Sequence, residues 1–282
     1  MKNIIQIGKI CAVSTLVFSS SMANADMSKW FEETEIAANV RIANDYQFYG
    51  ASQTSGAGGN EEGTSIMGGF DITWTTIPGL NADLYSGIFA ANTEWSRGTN
   101  DPASLEFTHY HGLTGEFGSS GVSWDAGAIN YTYPNQDGDQ GLADDFDYWE
   151  YYGVLGYSFS DVMLEPSVSV GYYYSPEWFG FGDASHHIPV TLDLSLPKGF
   201  GLNMFFGHLA LDFSDANLNA QTGGRADDYQ YYGIGLSKNV FGVDLDASYT
   251  AISSSDDCAL VQTGTTAGSE CGGFIFGISK SF

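Results

Sequence analysis

The residues best placed to do chemistry are carboxylates that recur on one face of short alternating segments. Asp45, Asp71, Asp83, Asp125, Glu150, Glu165, Asp193, Asp244 and Asp246 share that pattern, and Arg41 is the one clear basic partner. Crowded carboxylates raise one another's pKa and attract cations. A passage lined by them favours cations over anions. A second acidic group, Asp137, Asp139, Asp144 and Asp145, lies in a Gly-containing polar stretch. Such oxygen-rich loops suit Ca²⁺ or Mg²⁺. The spacing fails the full EF-hand pattern, so a solvated loop, or divalent bridges to lipopolysaccharide, are the competing readings. Cys258 and Cys271 are the expected disulfide in an exported chain.

Hydrolysis needs a Ser oriented by His and a third polar group. The five histidines are His109, His111, His186, His187 and His208. None sits in the His-Asp-Ser-Asn context of the outer-membrane phospholipase. A lipid hydrolase would instead have to present a lipid-facing Ser–His pair near the outer rim. His109 and His111 share a face but are too few to hold a metal without further ligands. They read as membrane-interface residues. The chain is therefore expected not to be an enzyme.

The elements that carry these residues are strands. Alternation places them at about 36–49, 65–75, 80–91, 104–115, 122–133, 148–158, 163–174, 187–195, 200–212, 229–237, 242–251 and 272–282. Val190, Leu192 and Leu194 oppose Thr191, Asp193 and Ser195; Val243, Leu245, Ala247 and Tyr249 oppose Asp244, Asp246, Ser248 and Thr250. Connections alternate long and short, as in a barrel with long external loops and short periplasmic turns. Hydrocarbon offers no partner to a backbone amide, so the sheet must close. The expected fold is all-β, an antiparallel transmembrane β-barrel of about twelve strands. Trp74, Trp124, Trp149, Tyr151, Tyr249, Tyr46 and Phe48 are candidates for its aromatic girdles, and Tyr85, Tyr110, Tyr131 and Tyr152 for lumen filling.

Charge and termini agree. The net charge is −25 over 282 residues, which excludes nucleic-acid binding through displaced counterions. Aromatic content of 15 % is too high for an acidic disordered chain. Residues 1–25 carry Lys2 and Lys9, an apolar run and Ala23-Asn24-Ala25, and read as a signal peptide. Residues 26–282 are then the barrel, located in the bacterial outer membrane. Phe274, Phe276, Ile278 and Phe282 end the chain on one face. A terminal Phe282 resembles the signal read by the outer-membrane barrel assembly machinery.

The segment Asn44-Asp45-Tyr46-Gln47-Phe48-Tyr49-Gly50-Ala51-Ser52-Gln53, with Tyr131-Thr132-Tyr133-Pro134 and Glu150-Tyr151-Tyr152-Gly153, resembles the TorF-like family of proteobacterial outer-membrane proteins. Members often carry Ser or Thr where this chain has Asn44, and Arg where it has Tyr49, which removes a positive charge at the mouth. The resemblance implies an outer-membrane location and assigns no activity. Two functional expectations follow. One is a narrow channel for small neutral or cationic solutes. The other is a structural or surface-interaction barrel with a blocked lumen, whose acidic loops bind cations, envelope lipid or a partner. The deciding feature is whether the interior is open or packed.

Overall fold

The computed structural model describes residues 34–54, 63–74, 82–93, 103–134, 146–180, 182–212, 228–253 and 272–282. The chain runs through β1 (Thr34–Ala43), two short strands β2 (Gln47–Phe48) and β3 (Ala51–Ser52), then β4 (Ser65–Trp74), β5 (Ala82–Asn92), β6 (Leu105–Glu116) and β7 (Val122–Thr132). It continues through β8 (Tyr148–Ser158), β9 (Ser167–Ser175), β10 (Ser185–Leu196), β11 (Phe200–Leu211), β12 (Asp228–Val240), β13 (Val243–Ile252) and β14 (Gly272–Ser281). All but β2 and β3 form one closed antiparallel barrel of twelve strands, each paired with its neighbour in sequence, and β1 closes on β14. Among the described residues no helix is long and apolar enough to cross a membrane. The crossing is made by strands.

The period of two decides what faces lipid. Ile36, Val40 and Ile42 on β1, Phe274, Phe276 and Ile278 on β14, Leu245 and Tyr249 on β13, and Ile234 and Leu236 on β12 all stand exposed on the outer wall. Water would penalise that surface and hydrocarbon favours it. Closure gives each wall strand a partner on both sides, so the barrel presents no open sheet edge to lipid. The chain is thus a membrane-spanning barrel of the bacterial outer-membrane type.

Two expected strands change at their ends. The first stops at Ala43 rather than 49. Asn44 donates from Nδ2 to the Phe274 carbonyl at 3.0 Å, and its Oδ1 accepts from the Phe276 amide at 2.6 Å. Its own backbone amide still donates to the Phe276 carbonyl at 3.2 Å; its side chain extends the ladder past that point, and the backbone turns into the lumen. Tyr46 and Phe48 are consequently interior residues, not girdle aromatics. The strand expected from 163 begins at Ser167 instead, because Leu164 and Glu165 take positive φ in the preceding turn (70° and 44°).

Candidate functional site

Strand parity turns Arg41, Asp71, Asp83, Asp125, Glu150, Asp193, Asp244 and Asp246 inward. Most have a specific partner. Arg41 reaches across β14 to Asp246, with Nη2 and Oδ2 at 2.6 Å. Gly277, between them on β14, leaves the room; a Cβ there would lie 2.5 Å from Arg41 Nη2 and 2.6 Å from Asp246 Oδ1. Tyr85 donates to Asp125 at 2.7 Å, and the Tyr152 hydroxyl adjoins that of Tyr85. Tyr110 donates to Asp71. Asn203 donates to Asp193 at 2.8 Å, and Asn239 to Asp244 at 2.8 Å. Asp71, Asp83, Asp193, Asp244 and Asp246 lie toward the short-turn end.

The long-loop end is different. There β2 and β3 form a hairpin inside the barrel, joined by Tyr49 and Gly50. Both joining residues have positive φ, 48° and 84°, the geometry of a tight two-residue turn matched to strand twist. A Cβ on Gly50 would lie 2.7 Å from Tyr231 Cβ and 2.9 Å from Ile252 Cγ1, so the turn is pressed against the wall. A non-glycine residue in this conformation is strained; at Tyr49 its surroundings hold it there. The Tyr49 phenol donates to both oxygens of Glu150, at 2.9 and 3.0 Å, and Tyr131 donates to the second at 3.0 Å. Tyr46 donates to Glu106 Oε1 at 2.8 Å, and Tyr133 to Oε2 at 3.1 Å. Tyr229 donates to the Tyr49 carbonyl at 3.0 Å.

Rings pack around the hairpin. Phe48 stacks on Trp178 at 6.3 Å and meets Tyr131 edge-on at 5.6 Å. Tyr49 lies 4.3 Å from His187, whose Nε2 bonds the Tyr231 hydroxyl at 2.9 Å. Such aromatic pairs add about 0.5–1.5 kcal/mol each beyond area burial. Tyr46, Phe48 and Tyr49 are only 1, 1 and 3 % exposed. The hairpin also fixes itself. Asp45 Oδ1 accepts from Ser52 at 2.5 Å and Thr54 at 2.7 Å. Burial pushes the Asp45 carboxyl above the ordinary range, and those hydroxyls partly hold it down.

Two of the expected wall positions need correcting. Asp45 sits on the inward-folded segment rather than on a wall strand, with its charge directed at its own hairpin. Glu165 is exposed in the β8–β9 turn and is not a lumen residue. Phe282 is outward and exposed, and its backbone pairs with Ala38 at 2.9 and 3.2 Å, extending the closing seam. Cys258 and Cys271, the acids Asp137, Asp139, Asp144 and Asp145, and residues 1–25 lie outside the described residues. Sequence reasoning missed Glu106 altogether and met His187 only as one of the five histidines; each is 1 % exposed. Glu106 shares parity with Thr108 and Tyr110, which could have revealed it.

The outer wall does carry a Ser–His pair. Ser86 Oγ and His111 Nδ1 are 2.9 Å apart on the lipid side. No third polar side chain is bonded to His111 among the described residues, and the pair lies at mid-strand rather than at the rim. Among the described residues no orienting group of the kind nucleophilic chemistry requires is bonded to the pair.

A model of the family described as bacterial protein of unknown function (Gcw_chp) matches residues 31–282. The chain belongs to that family. The NanC porin is similar in structure, with a TM-score of 0.51 at 8 % identity over 86 % of this chain and 97 % of that one. An outer-membrane channel from Pseudomonas putida F1 has a TM-score of 0.47 at 11 % identity, covering 92 % and 100 %. At such identity the NanC likeness speaks for the fold alone. No curated protein sequence matches the chain.

Proposed function

We propose that this chain is an outer-membrane barrel with a closed lumen, acting as a structural or surface-interaction element of the envelope rather than as a standing pore. The observation that carries this reading is the inward hairpin, with Tyr46 and Tyr49 bonded to wall carboxylates and Phe48 packed among Tyr131, Trp178 and Phe179. A twelve-strand barrel is intermediate between filled and open sizes, so its contents decide. Its acidic loops would meet cations and lipopolysaccharide, and Phe282 the assembly machinery; the TorF-like resemblance is consistent with such a place.

A second reading keeps the channel. Below the hairpin the wall carries Asp71, Asp83, Asp125, Asp193 and Asp244. If the hairpin leaves the lumen, the same molecule becomes a cation-preferring passage. Planar-bilayer recording separates the two. Wild-type protein is expected to be silent, and a variant with residues 45–54 replaced by a Gly-Ser linker of equal length to conduct cations. Steady conductance by the wild type would overturn the closed-lumen reading. Silence of the variant would overturn the assignment of the block to the hairpin.

A further inference from the structure

The barrel exterior is not uniform. Along β5–β8, three neighbouring outward rows read Ile88, His109, Asn130, Trp149; Ser86, His111, Ala128, Tyr151; and Leu84, Leu113, Ala126, Gly153. His109 and His111 are the fifth and seventh of the 12 residues of β6, and Ser86 is the fifth of 11 in β5. The polar groups therefore sit near mid-height, where lipid solvates them worst. Polar side chains at that depth are costly and usually find protein partners. By contrast, the outward residues of β1 are Ile36, Ala38, Val40 and Ile42.

The relief matters as much as the polarity. A Cβ on Gly153 would meet nothing within 4 Å, and Ala126 beside it is exposed. These small residues make a hollow. Tyr151, 50 % exposed, stands at one side of it, and Ser86 with His111 at the other. His109 is braced edge-on against Trp149 at 5.7 Å. His111 uses Nδ1 on Ser86, which leaves Nε2 as its second hydrogen-bonding atom.

We propose that this face docks a second copy of the chain laterally in the membrane. The two copies are related by a twofold axis. Tyr151 of each lies over Ala126, Ala128 and Gly153 of the other, and its phenol donates to His111 Nε2. The patch is self-complementary in shape, with ring and hollow side by side, and in hydrogen bonding, with a donor and an acceptor in one row. An isologous contact needs both. Small residues permit close approach, and an interlocking polar contact is favoured where lipid offers none. Four strands about 4.8 Å apart and about 30 Å tall present roughly 600 Å² per copy, near the lower end of a stable interface. The proposal gives the surface-interaction reading a partner but does not depend on whether the lumen conducts.

The test is a single cysteine at the hollow. Ala128→Cys, in a background with Cys258→Ser and Cys271→Ser, is reconstituted in vesicles and oxidised. Heat-modifiable gel migration reports the fold. A product of twice the chain mass is expected, and Ile234→Cys on the far wall should give at least tenfold less. Light scattering on wild-type protein should report a dimer. Gly153→Trp fills the hollow from the lipid side, and should give a folded monomer. Equal cross-linking at both positions, a cross-link only to another protein or to lipopolysaccharide, or a wild-type monomer at every concentration would each overturn the proposal.

Discussion

At the level of single residues, the interior is a set of carboxylates answered by phenols and amides. A buried carboxylate deprived of its donor carries the full cost of desolvation, about 1–3 kcal/mol or more. Tyr49 is the sharpest case, because one hydroxyl serves both oxygens of Glu150. Tyr49→Phe keeps the ring and removes the donor. It is expected to lower stability by about 1–3 kcal/mol, read from urea unfolding in phospholipid vesicles by tryptophan fluorescence. Tyr249→Phe, on the outer wall, should change it by less than about 0.5 kcal/mol. Equal losses would remove the hairpin clamp from the account. Strand parity made the wall acids legible in sequence, since a period of two admits only two faces. The same parity misplaced Tyr46 and Phe48. They continue the outward register of Val40 and Ile42 past Asn44, yet the backbone has left the wall there. Nothing in an alternating pattern marks the point where an asparagine side chain extends the ladder.

Among the elements, β1 is the unequal one. It pairs with β4 through ten register positions, Thr34↔Trp74 to Ala43↔Ser65, but with β14 through only five, Asn39↔Ser281 to Ala43↔Gly277. The closing seam is supplemented by the Asn44 side chain, the Phe282–Ala38 backbone pair and the Arg41–Asp246 ion pair. Those additions do not equal a full ladder. The seam is therefore the expected place for local opening. In hydrogen exchange on the reconstituted protein, amides of β14 facing β1 should exchange faster than amides of β4 facing β1. Slower exchange on the β14 side would show that the ion pair and the terminal residues dominate the shorter ladder. Strand number and closure were legible from the alternation of long and short connections. The hairpin was not, because β2 and β3 have two residues each and fall below any periodic signal.

For the molecule as a whole, the imbalance of interior charge decides what an opened passage would carry. Among the described residues Arg41 is the one Lys or Arg whose side chain points inward, and Asp246 neutralises it. Lys238 and Lys280 lie on outward positions, each near an aromatic ring. Asp193 and Asp244 have only amide partners among the hydrogen bonds described above, so their charge remains available to the lumen. In a low-dielectric wall that charge acts at a distance on permeant ions. Once the hairpin is replaced by the linker, the passage should prefer potassium over chloride. Adding Asp193→Asn and Asp244→Asn should move the reversal potential in a KCl gradient toward zero. Asp228→Asn, outward and exposed at the long-loop end of β12, should leave it nearly unchanged. The difference should be largest in dilute salt and fade near 1 M, where the screening length falls to about 3 Å. Identical reversal potentials in all three proteins at low salt would mean that the wall acids do not set selectivity, and the field at the mouth would have to do so instead.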